Sequence, residues 1–105
     1  MKQMLPVELK ARLAAGEEIQ LVDVREAWEY QTARIGGSTS MPMAEVAARI
    51  AELDPKTDLV VICHHGGRSM QIAVFLERHG FSKVHNLTGG VDAWARTVEL
   101  SMPVY

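Results

Sequence analysis

The sequence predicts an α/β domain built on a parallel sheet with helices on both faces. Three observations carry that prediction. Residues 19–24 and 58–62 are short, mostly apolar runs of the length and β-branched content of buried strands, and Val84 to Leu87 reads as a third strand. Segments with apolar residues at helical spacing alternate with them, the order that produces parallel strands with helical crossovers. Each run also ends in a loop rich in glycine or charge, at the sheet edge where such folds bind ligands.

The elements follow in order. Pro6, suited to a first helical turn, opens a helix with Leu9 and Leu13 on its apolar stripe, and Gly16 ends it. The strand at 19–24 leads to a short helical turn at 27–31, broken by Gly36 and Gly37. Residues 38–41 read as a short edge strand stopped by Pro42. Val46, Ala47, Ile50 and Leu53 then sit at helical spacing until Asp54-Pro55. After the strand at 58–62 and its loop, a helix runs to about His79. Gly80 is its left-handed terminator and Phe81 the accompanying apolar contact. A third strand at 84–87, a Gly89-Gly90 turn and a short helix at 91–96 complete the pattern.

At 105 residues the chain reads as one domain over 1–105, large enough for a single core. Eleven basic against thirteen acidic residues give a net charge of −2, which argues against nucleic acid and anionic membranes as partners. The single cysteine excludes an internal disulfide and suits a reducing compartment. With no secretory-type leader and no apolar run of membrane-spanning length, a cytoplasmic location is the expectation. No cofactor is expected.

That cysteine, Cys63, closes the second apolar run and opens the loop His64-His65-Gly66-Gly67-Arg68-Ser69. Strand, turn and helix N-terminus together make an electropositive cradle. Such surroundings lower a thiol pKa from ~8.5 into the ~3.5–7.5 range and so favour the nucleophilic thiolate. Gly66 and Gly67 let backbone N–H groups turn inward, Arg68 adds a fork suited to oxyanions, and Ser69 can cap the helix or donate its hydroxyl. The opposing reading is a buried, inert thiol.

The other polar residues divide less cleanly. His64 and His65 could donate to an anionic substrate, line the rim or supply a base, although neighbouring side chains point different ways and one should face solvent. A zinc site from Cys63, His64 and His65 lacks a fourth ligand, so no metal is expected. Asp23 and Arg25 follow the first strand and fit either a structural ion pair or a substrate contact. Glu26, His79 and His85 read as surface residues, Trp28 and Trp94 as packing residues, and the six methionines as gap fillers. The loops at Arg25-Glu26, at His64 to Arg68 and at Thr88-Gly89-Gly90 should meet on one sheet edge.

Three ordered segments resemble the rhodanese family of sulfurtransferases. These are Leu21-Val22-Asp23-Val24-Arg25-Glu26, the Cys63 loop, and Asn86-Leu87-Thr88-Gly89-Gly90-Val91-Asp92-Ala93-Trp94. Many relatives have histidine and proline where this chain has Arg34 and Gly36. The resemblance implies a small doubly wound α/β fold with catalytic Cys63 and substrate-binding His64, His65, Gly66, Gly67, Arg68 and Ser69. By the same resemblance Arg68 would hold the donor's sulfonate, Asp23 would brace the loop and Arg25 would lie near its mouth. The implied chemistry is ping-pong: Cys63 takes the outer sulfur of a donor such as thiosulfate. The persulfide then passes it to cyanide, a small thiol or a protein cysteine. A lone domain of this kind should present a shallow, open loop.

Spacing and the intact loop separate this chemistry from two rivals. Phosphatases and arsenate reductases with a similar cradle have five residues between cysteine and arginine, against four here, and the smaller ring fits a single sulfur atom better. A non-catalytic binding module would sit better with a missing cysteine or a degraded loop. A sulfur relay to a protein partner would use the same site.

Overall fold

The computed structural model describes residues 1–105. Its strands are β1 (Lys2–Met4), β2 (Gln20–Asp23), β3 (Thr39–Ser40), β4 (Leu59–Ile62) and β5 (Val84–Leu87). The helices are α1 (Pro6–Ala14), α2 (Ala27–Thr32), α3 (Val46–Arg49), α4 (Gly67–Arg78) and α5 (Gly90–Thr97). All strand pairs are parallel, and the sheet order is β1-β5-β4-β2-β3. The carboxyl ends of β2, β4 and β5 therefore lie along one edge, as expected.

Both sheet faces are covered, and the two-residue period of the strands decides which side chain serves which face. Leu21, Val60, Ile62 and Leu87 join Leu9 of α1 and Val91, Trp94 and Ala95 of α5 in one core layer. Val22, Leu59, Val61, Cys63 and Val84 join Val46 of α3 and Ile72, Ala73 and Leu76 of α4 in the other. The central strand β4 thus needs an apolar residue at every position, which is why it reads as a continuous apolar run. Each fully buried aliphatic side chain contributes roughly 1.5–3 kcal/mol of transfer free energy.

Strand and helix positions follow the sequence expectations closely at β2, β4, β5 and α5. Gly80 takes φ +92° after α4, and the Phe81 N–H donates to Leu76 O at 3.1 Å while its ring is buried. Two elements differ. The strand β1 was not anticipated, since only Met4 of its three residues is buried and no alternation can develop over that length. Residues 43–53 do not form one helix. A 3-10 turn at Met43–Glu45, the single α-turn of α3 and another 3-10 turn at Ile50–Glu52 replace it. Val46 is the one side chain this segment buries fully, too little packing to hold regular α geometry against the tighter alternative. His85 also departs from expectation: it is largely buried, with Nε2 3.0 Å from Asp58 Oδ1. No helix is long and apolar enough to cross a membrane.

Candidate functional site

Cys63 sits one residue beyond β4 and is 1% exposed, so the loop does not present an open thiol. None of the three surface cavities reaches it; they lie by Lys83 and His85, by Ile19 and Leu53, and by Met43 and Phe75. Cys63 Sγ accepts the Gly66 N–H at 3.0 Å. That bond depends on Gly66, which caps α4 in the left-handed region at φ +106°, where a side chain is strained. Ser69 is therefore not the cap. It lies within the first turn of α4 and turns inward, with Oγ 3.2 Å from Sγ.

Ser69 Oγ is also hydrogen-bonded to Asn86 Oδ1, and the hydroxyl has one proton. The Asn86 amide is fixed by Nδ2 donating to Gln3 Oε1 at 3.1 Å and Gly66 O at 3.2 Å, which aims Oδ1 at Ser69. With the thiol protonated, S–H can donate to Ser69 Oγ while Ser69 donates to Asn86. With a thiolate, the serine proton must turn to sulfur and Asn86 Oδ1 loses it. The remaining stabilisation comes from Gly66 N–H and the α4 N-terminus, which points its free amides at the loop.

The third expected loop packs directly beneath the second, the one that carries Cys63. The Val91 N–H donates to Cys63 O at 2.8 Å and the Asp92 N–H to His64 O at 3.0 Å. Gly90 makes this possible: a Cβ there would stand 2.3 Å from Cys63 O and 2.5 Å from His64 O. The head of α5 thus fixes the backbone that carries the cysteine. Sequence reading placed the glycines here but not their purpose.

The charged residues are arranged differently from expectation. Arg25 does not lie at the mouth; it is fully buried. Its guanidinium forks onto Asp23, with Nε–Oδ1 2.9 Å and Nη2–Oδ2 2.6 Å. It also donates to Ala33 O at 2.6 Å, Glu29 O at 3.2 Å and the Tyr105 hydroxyl at 2.7 Å. The Asp23 carboxylate is spent on Arg25 and does not touch the Cys63 loop, so the structural ion-pair reading holds for both. Arg68 donates both Nη atoms to Glu29, at 2.7 and 2.9 Å, rather than standing free for a sulfonate.

Glu29 is the hub that the sequence reading missed. It also accepts the Tyr105 hydroxyl at 2.9 Å and the Glu26 N–H at 3.0 Å, the latter closing a capping box with Glu26. The Arg68 hydrogen bonds pull its pKa from 4.5 to about 2 and raise that of Arg68. The spacing Glu26-x-x-Glu29 was the available signal for the cap, but not for the arginine. Asn86 had a weaker signal, a polar side chain in an apolar strand. Tyr105 had none.

The His64 and His65 rings lie with centroids 4.0 Å apart and planes tilted by 30°, and Tyr105 stacks on His64 at 4.0 Å with planes 6° apart. His65 faces solvent; His64 is half-buried, and its Nε2 is buried without a partner. Burial, then the proximity of His65, lowers the His64 pKa below 6.5. Trp28 meets the Tyr105 ring edge-on at 5.8 Å and is mostly exposed, so it is a rim residue rather than the packing residue expected; Trp94 is buried as expected. Donor atoms of His64, His65 and Asp92 lie within 4.8 Å of one another. The group offers three donors and not four, and Asp92 already accepts from Arg96 at 3.1 Å, so it is a poor match for a tetrahedral metal.

A family model described as the rhodanese-like domain matches residues 5–97. The chain belongs to the rhodanese-like domain family. This rhodanese-like domain is 38% identical over 88 residues to a sulfurtransferase of Allochromatium vinosum, covering 84% of this chain and 82% of that one. It is 39% identical over 93 residues to the rhodanese-like/PpiC domain-containing protein 12, chloroplastic, of Arabidopsis thaliana, and spans 85% of itself but only 31% of that longer protein. A crystal structure of a rhodanese-like domain protein from Staphylococcus aureus superposes with a TM-score of 0.86 at 26% identity, covering 100% of this chain and 99% of that one. The α/β fold read from the sequence is thus the fold of the family. Of the residues around the rhodanese-like loop, Gln3 and Tyr105 fall outside the matched stretch.

Proposed function

We propose that this chain is a sulfurtransferase that carries sulfane sulfur on Cys63. Family membership and the sulfurtransferase relative support transfer of sulfur; the observation that carries the assignment to one atom is Cys63 Sγ facing Gly66 N–H and Ser69 Oγ at the head of α4. Both groups face the sulfur, so negative charge carried there by the reacting sulfur or its persulfide meets hydrogen-bond donors.

The thiolate of Cys63 attacks the outer sulfur of a donor. With thiosulfate, the new S–S bond leaves Cys63–S–S⁻ and the old one releases sulfite. An acceptor thiolate or cyanide then takes the terminal sulfur and restores Cys63. Gly66 N–H and the first-turn amides at Gly67, Arg68 and Ser69 hold the charge as it moves to the terminal sulfur, while His64 and His65 border the approach. Asp23 and Arg25 act from beneath, by fixing the chain around Glu29. The protein's mass after incubation with excess thiosulfate, or with an alkyl persulfide, tests this. One added sulfur atom is expected in the original protein and none in Cys63→Ser. No addition from either donor overturns the reading.

A further inference from the structure

We propose that the site takes its sulfur from an organic persulfide, R–S–SH, in preference to thiosulfate, and that Glu29 sets this preference. The inference rests on the reading of Cys63 as the sulfur carrier and goes beyond it by naming the donor class.

Thiosulfate is a dianion, and its sulfonate needs a cation that is not already matched. Around this loop each guanidinium has its carboxylate. Arg68 is held by both oxygens of Glu29, Arg25 by both oxygens of Asp23, and Arg96 by Asp92. The Glu29 carboxylate is itself nearly buried and held by Tyr105 as well, so it is not free to swing away when an anion arrives. A sulfonate would have to displace a bidentate pair, one of the stronger polar contacts in proteins.

An organic persulfide makes no such demand. Cys63–S⁻ attacks the terminal sulfur of R–S–SH, the S–S bond breaks, and R–S⁻ leaves while the proton stays on the transferred sulfur, giving Cys63–S–SH. The group R then needs a surface rather than a charge. The neighbouring rim supplies one: Trp28, mostly exposed, set edge-on to Tyr105, whose ring lies on His64 next to the cysteine.

Sulfur loading of Cys63 can be timed by intact mass with thiosulfate and with benzyl persulfide, in the original protein, Glu29→Gln and Trp28→Ala, with Cys63→Ser as blank. The original protein is expected to show the higher kcat/KM with the persulfide. Glu29→Gln should lower KM for thiosulfate roughly tenfold, the scale of one charge-assisted hydrogen bond, and shift the donor ratio toward thiosulfate. Trp28→Ala should raise KM for benzyl persulfide severalfold and leave the thiosulfate KM where it was. Independently of any variant, thiosulfate KM in the original protein should be flat between low and high salt, because no unmatched cation is there to be screened. A kcat/KM for thiosulfate equal to or above that for the persulfide, a thiosulfate KM that climbs with salt, or a donor ratio unmoved in a folded Glu29→Gln overturns the proposal. Absence of loading from both donors instead removes the sulfur-carrier reading on which it rests.

Discussion

Tyr105 lies flat on His64, ring centroids 4.0 Å apart and planes within 6°, and so brings residue 105 onto the residue that follows the only cysteine. The same side chain reaches Arg25 and Glu29 through its hydroxyl. One residue therefore shields the imidazole and bridges the Asp23–Arg25 and Glu29–Arg68 charge pairs.

Removing the ring should return His64 toward ordinary behaviour. Burial is the main cause of its lowered pKa, so Tyr105→Ala is expected to raise that pKa toward 6.5, while Tyr105→Phe keeps the stack and should move it little. An NMR titration of the imidazole protons reads this directly. Equal values in the original protein and the alanine variant would show that the ring does not shield His64 in solution. Tyr105→Phe also removes one acceptor from Arg25 and one donor to Glu29, a loss of about 1–3 kcal/mol in urea denaturation.

The Asp23–Arg25 pair has no exposure to soften its removal. Asp23→Asn leaves a guanidinium buried without its counter-charge, and the expected loss is about 3–5 kcal/mol. A smaller loss, near the ~0–1 kcal/mol of an exposed pair, would mean that Arg25 reaches water. The midpoint of chemical denaturation distinguishes the two.

Gly90→Ala should break the seat of the cysteine loop. The added methyl meets two carbonyl oxygens, of Cys63 and His64, at distances no Cβ tolerates, and φ is +60°. Gly16 is the control: its φ is +80°, yet nothing lies within 4 Å of a Cβ there. Gly16→Ala is expected to cost about 1 kcal/mol for its φ alone. Gly90→Ala should lose more than that in stability, and loading of Cys63 with sulfur should fall with it. Matching effects at the two positions would show that the loop carbonyls can move aside.

What could be read from the chain was what each segment carries in its own residues. Leu59, Val60, Val61 and Ile62 announce a strand buried on both faces because both faces are in fact occupied. Cys63, Gly66 and Ser69 lie within one short stretch of chain, so their proximity followed from spacing. Arg68 was legible as part of that loop but not as a matched charge, because its partner Glu29 is 39 residues away. Asn86 and Tyr105 arrive from further along the chain, and β1 is too short to display a period. Long-range pairing leaves no local pattern, and it is long-range pairing that sets the electrostatics of this mouth.

Glu29 gives that pairing a pH signature. Its pKa falls from 4.5 to about 2, chiefly through the Arg68 hydrogen bonds. A carboxyl whose folded pKa is depressed contributes stability that is complete above its unfolded value and is lost as pH falls through the folded one. The window for Glu29 is therefore about pH 5 down to pH 2, and a shift of this size corresponds to roughly 3 kcal/mol. Glu29→Gln should be less stable than the original protein at pH 7, and the difference should shrink as pH drops across that window. Urea midpoints at pH 7, 4 and 3 provide the measurement. A gap between the two proteins that stays constant with pH would mean that Glu29 is not held as the partner of Arg68, and that the guanidinium is available to an incoming anion after all.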